Sequence, residues 1–311
     1  MSYLYLLDPL VSIIVTALLF GVVVLLTAPI RDGARQRVSE TARATWMTTR
    51  WFGVGASSAI LVTFVAASLP LATGNWQPFV YRWYQHPLPL LVAAVALAAV
   101  TVALRIRRRA PEAPTLTADR RTWRSFSTRG DLILVVASAT LTALLCGGAL
   151  ALQRWMSIPD PDGKLVDFFG WRYSLPVLVG TLLVVALWAL SLHTVAAPAF
   201  SRPDAMREES AARRALATSM SRISIAAIAL SFGTALASAG AAATGYGQFV
   251  FPVIEVAGRL GFGSVGDFLI VLGRWAQILG VVLLLLSLLG GRRVPRFGSR
   301  APGRAPALET R

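Results

Sequence analysis

Apolar residues in this chain fall into seven long, continuous runs, at about 9–29, 52–73, 88–104, 132–152, 175–197, 223–245 and 268–290. A helix that crosses a bilayer needs about 20 mostly apolar residues, and each run approaches that length. The runs do not alternate apolar with polar positions, as the short strands of a membrane barrel do. Backbone groups in hydrocarbon must be satisfied within their own segment, which leaves helices. The predicted fold is therefore all-α: a bundle of seven transmembrane helices within residues 1–291. A disordered, basic tail over 292–311 follows, rich in Pro, Gly and Arg. The shortest run, 88–104, begins among Pro87 and Pro89.

The polar gaps give the predicted orientation. Of the 30 basic residues, 24 lie in alternate gaps and the tail: five in 31–50, eight in 105–129, five in 202–222 and six in 292–311. The remaining gaps hold Arg82, Arg154, Lys164, Arg172 and Arg259, and Arg274 lies inside the last run. Basic residues are retained on the cytoplasmic side of membrane proteins. This predicts an N-terminus outside and a cytoplasmic C-terminus. The run at 9–29 is expected to be a span rather than a cleaved leader, because its first basic residue, Arg31, follows it and only Asp8 precedes it.

Composition agrees. The chain is 55% hydrophobic and 14% charged, against about 25% charged in soluble domains. The net charge of +15 would otherwise suggest nucleic acid, but its distribution reports topology, so no nucleic-acid partner is expected. The basic face is expected to meet anionic lipid headgroups of the bilayer. Arginine supplies 29 of the 30 basic residues amid abundant alanine, a composition of GC-rich bacterial genomes. The expected location is a bacterial inner membrane. Cys146 is the single cysteine, so no intramolecular disulfide can form.

The gaps on the other side differ in character. Residues 74–87 and 153–174 are dense in Trp, Tyr and Phe, as expected at headgroup level. Residues 246–267 are apolar but interrupted by Pro252, Glu255 and Arg259, and read as an interfacial or re-entrant helix. Asp160, Asp162 and Asp167 flank a Pro-Gly turn. Only two of the three have calcium-loop spacing, so a turn explains them better than a metal site.

A short pattern recurs before three of the runs. ADRRTWRSFSTR at 118–129 aligns without gaps on AARRALATSMSR at 211–222, and RATWMTTR at 43–50 is a looser copy. Duplicated helical hairpins would produce this, as would the common preference for Arg, Ser and Thr at headgroups. The sixth run carries Gly233, Ala237, Ala241 and Gly245, a small residue at every fourth position, which lets a neighbouring helix approach closely. Gly53, Gly55, Gly147 and Gly148 are candidates for the same role.

Charged residues within spans are the natural candidates for function. Arg274 is the foremost, in the sequence VLGRWAQ, with Gln277 one turn later and Asp267 two turns earlier. With Asp8 and Glu255 expected at similar depth, these five form the candidate polar site for an ion, a polar solute or a headgroup. His193 lies near the end of the fifth run without a carboxylate beside it. His86 is on the opposite side. The chain has no phosphate-binding loop, zinc-protease or nucleophile-elbow motif. It also has no lysine in a span for a retinal Schiff base and no paired carboxylates within a span. No catalytic residue, metal or cofactor is assigned. The expected function is a non-enzymatic partner, assembly or regulatory component of the membrane. The alternatives are a small-solute transporter built around Arg274 and an enzyme acting on a lipid-linked substrate at the outer face.

Overall fold

The computed structural model describes residues 40–68, 86–106, 126–153, 157–159, 165–167, 171–198, 206–245 and 263–290. Within them the chain forms six helices: α1 (Glu40–Ser68), α2 (Leu88–Ile106), α3 (Arg129–Gln153), α4 (Trp171–Ala196), α5 (Met206–Gly245) and α6 (Gly263–Gly290). Each overlaps one of the apolar runs, in order. The run at 9–29 lies outside the described residues. So do all of 246–262 and the tail. Five of the helices, α2 to α6, are long and apolar enough to cross a membrane, the composition of a multi-pass membrane protein.

Local chemistry sets the helix ends. The Pro87 carbonyl accepts from the Leu91 amide at 2.9 Å, and Pro89 occupies the first turn of α2, where a missing amide costs nothing. Thr128 caps α3, its hydroxyl accepting from the Asp131 amide at 3.1 Å. α4 closes with the Ala197 amide donating to the His193 carbonyl, and Pro198 prevents further propagation.

Two helices begin well before their apolar runs. α1 starts at Glu40 and α5 at Met206, so the recurring patterns at 43–50 and 211–222 are helical rather than loops. Neither contains Gly or Pro, and both are rich in residues that tolerate a helix. At 40 residues, α5 is about 60 Å long, twice a hydrocarbon core. Between α3 and α4 the chain makes a small antiparallel hairpin, β1 (Ser157–Pro159) with β2 (Leu165–Asp167), in which Ser157 pairs with Asp167 and Pro159 with Leu165. The connection, 160–164, holds the Pro, Asp and Gly that read as a turn.

α5 is the hub. It packs against all five other helices. Of its membrane-spanning segment 78% is buried, against 22–39% for the other four. It is also the least apolar of the five. The two facts are one: a helix surrounded by protein need not match lipid, and can carry Ala, Ser and Gly in place of Leu and Val. Its fully buried positions include Leu216, Ala217, Ser221, Ser224, Ala226, Ile228 and Ser231.

The α5–α6 contact is antiparallel and the most extensive in the bundle. A Cβ placed on Gly280 would lie 3.0 Å from the Ala226 carbonyl, one on Gly233 2.5 Å from the Gly273 carbonyl, and one on Gly240 2.6 Å from the Gly266 carbonyl. The contacts recur at every seventh residue on both helices, in opposite directions. A seven-residue repeat is the period of a seam that stays on one face of a slightly underwound helix pair. Gly233 and Ala237 of the expected stripe are on this seam, and Gly240 continues it. The side chains at 241–245 lie outside the described residues.

Elsewhere α2 and α4 run parallel. Gly180 approaches Leu90, and the Thr101 and Ser191 hydroxyls hydrogen-bond at 2.6 Å. Trp188 of α4 donates from Nε1 to Ser221 of α5 at 3.0 Å. Most other hydroxyls bond the carbonyl one turn back, as Thr181, Ser224 and Thr234 do. These contacts make successive helices antiparallel. The exposed Arg43, Arg50, Arg105, Arg129, Arg207 and Arg214 thus gather at one end of the bundle.

Candidate functional site

The glycine seam fixes the rotation of α6. With Gly266, Gly273 and Gly280 against α5, Gln277 is turned about 40° from Gly273 and stays inside, 9% exposed. Its Nε2 donates to the Thr234 hydroxyl of α5 at 3.2 Å, and Thr234 in turn donates to the Leu230 carbonyl at 2.8 Å. This amide is a packing device between the two helices.

Arg274 and Asp267 are turned about 100–120° from Gly273, and both are exposed. They border an apolar face made by Val265, Phe268, Val271, Leu272, Trp275 and Leu279, with Trp275 62% exposed. The structure therefore places Arg274 and Asp267 on one side of α6 and Gln277 on another. Seven residues separate Arg274 from Asp267, about 10 Å along the axis, and among the described residues no carboxylate lies within ion-pair distance of Arg274. Asp8 and Glu255 lie outside the described residues.

The depth of Arg274 is the notable quantity. The apolar segment of α6 is Ser264–Leu288, whose midpoint is residue 276. Arg274 is two residues away, about 3 Å along the axis. Measured from the start of the apolar run at 268, it is six residues in, about 9 Å along the axis. A guanidinium turned toward lipid costs up to about 2.5–3.5 kcal/mol on insertion scales, the upper figure belonging to the centre of a span.

A second polar cluster was not anticipated from sequence. At the arginine-rich end, Arg213 of α5 is buried. Its Nη1 donates to the Pro198 carbonyl at 2.7 Å, its Nη2 lies 3.7 Å from Glu209, and its guanidinium sits 5.8 Å from the centre of the Phe126 ring. One side chain thus ties the start of α5 to the end of α4 and the approach to α3. Arg213 and Phe126 belong to two copies of the recurring pattern. The sequence marks the Arg pair at 213–214, and helical phase turns the first inward and the second outward.

At the opposite end, His86 is 1% exposed and meets Tyr173 edge-on, ring centres 5.6 Å apart. Burial pushes its imidazole down to about 4. Tyr173 also packs on the Ala149–Ala235 cluster, as Leu145 does, so the start of α2 meets α3, α4 and α5 there. His193 is exposed near the end of α4. No group of three or more His, Cys, Asp or Glu with metal-binding geometry occurs among the described residues. No family model, characterised protein or solved structure matches the chain.

Proposed function

We propose that this chain is a non-enzymatic component of a membrane assembly, a scaffold or regulatory subunit. The observation that carries the reading is the α5–α6 seam. Backbone meets backbone along it at every seventh residue, and Gln277, the most buried of the three candidate polar residues among those described, joins the two helices across it. A bundle built around such a seam favours a fixed surface over the rocking of one half against another that transport uses.

The reading includes seven spans, with the run at 9–29 as the first, the N-terminus outside and the arginine-rich end in the cytoplasm. The exposed arginines at that end then face anionic headgroups. A bacterial inner membrane suits the composition. Transport of a small solute past Arg274 is the rival, drawing on the same charged residue.

Affinity purification in mild detergent from native membranes, with mass spectrometry, tests the reading. A protein present at fixed stoichiometry is the expected result. A solitary protein that drives solute uptake after reconstitution into sealed vesicles contradicts it and favours the rival.

A further inference from the structure

We propose that the outward face of α6 is a docking surface for a transmembrane helix of another protein, one carrying an Asp or Glu within its span that pairs with Arg274. This rests on the reading of the chain as an assembly component, and names the surface and its partner's chemistry.

Arg274 borders a face whose other members, Phe268, Val271, Leu272 and Trp275, are apolar and exposed. It lies about 3 Å from the middle of the apolar segment. Ionisable residues at such depth pair with an opposite charge or line a polar cavity. Asp267 is two turns away along the axis. Thr234 and Gln277 are committed to each other on the seam side.

Three other occupants fit less well. The run at 9–29 of the same chain has no acidic residue within it, and Asp8 precedes it. A second copy related by an axis along the membrane normal sets Arg274 against Arg274 and Asp267 against Asp267, like against like. Lipid alone offers the guanidinium only headgroups at the boundary and leaves the apolar face without a protein partner. A foreign helix with an acid at that depth satisfies the charge and covers the apolar face together.

The test uses the full chain in native membranes, with a photo-crosslinking amino acid at Val271 and, as a control, at Leu141 on the exposed side of α3. A discrete heterologous adduct is expected from position 271 and not from 141. Its partner is expected to contain a transmembrane Asp or Glu. Arg274→Leu should cut the adduct at least about tenfold, equivalent to about 1.4 kcal/mol of pairing. Arg274→Lys should retain most of it, and Arg274→Glu should regain it when the partner's acid is changed to Lys. Co-elution of each variant with the wild type on size exclusion guards against misfolding. Adducts with lipid only, adducts between copies, or a yield unchanged by Arg274→Leu overturn the proposal. So does a loss of pairing reproduced by Glu255→Gln, which assigns the charge to this chain. A stoichiometric partner that co-purifies but ignores Arg274 overturns the docking face and leaves the assembly reading standing. A solitary transporting protein overturns both.

Discussion

Gly233 and Gly273 face each other so closely that a Cβ on either would strike the other's backbone, 2.5 Å from the Gly273 carbonyl in one direction and 2.6 Å from the Gly233 carbonyl in the other. No side chain flexes to relieve that approach. Gly233→Ala and Gly273→Ala must push α5 and α6 apart, at a cost of about 1–3 kcal/mol each. Gly55, Gly147 and Gly148 have open space where a Cβ would point. Alanine there should be neutral or slightly stabilising, since glycine costs about 0.5–1 kcal/mol within a helix. Thermal unfolding in detergent, followed by tryptophan fluorescence, separates the two groups. Equal midpoints for all five variants would remove the seam as the organising contact.

The length and apolarity of the runs located these helices, because a membrane demands both and the sequence records them directly. It missed the helical extensions of α1 and α5, whose residues are polar enough to read as gaps yet contain nothing that stops a helix. The small-residue stripe was legible at Gly233 and Ala237. Its seven-residue phase was not, because that phase belongs to the pair of helices: Gly266, Gly273 and Gly280 acquire meaning only opposite α5. The same holds for the candidate site. Arg274, Asp267 and Gln277 lie within three turns of one another, and only the rotation set by the seam places Gln277 inside and the two charges outside. Arg213 looked like one more headgroup arginine because its partners, Pro198 and Phe126, are distant in sequence.

The Gln277–Thr234 hydrogen bond should contribute modestly. Polar pairs between membrane helices average about 0.6 kcal/mol in double-mutant cycles. A cycle of Gln277→Leu and Thr234→Val, read by unfolding in detergent, should give a coupling of that order. A coupling above about 2 kcal/mol would mean that the amide does more than join the two helices.

Arg213 should matter more. Arg213→Ala removes the cation beside the buried Glu209 and the donor to the Pro198 carbonyl, a loss of about 3 kcal/mol by analogy with broken buried pairs. Adding Glu209→Gln should recover part of that loss. If Arg213→Ala unfolds at the wild-type temperature, the cluster does not hold this end of the bundle.

His86 predicts a dependence on pH. Its imidazole titrates near 4 in the folded protein and at 6.5 when unfolded. Between those values the unfolded chain binds the extra proton, so stability is full above about 6.5 and falls as pH drops toward 4. His86→Phe should flatten that slope. Midpoints measured from pH 7.5 to 4.5 check it, and an unchanged slope in the variant would assign the effect elsewhere.

The described helices are expected to cross a membrane in alternate directions, with the arginine-rich end in the cytoplasm. Reporter fusions after residues 40, 115 and 210 and after residues 80, 165 and 250 measure this directly. The first three should report the cytoplasm and the second three the outside. One fusion from either set on the opposite side would contradict the topology, and with it the depth assigned to Arg274.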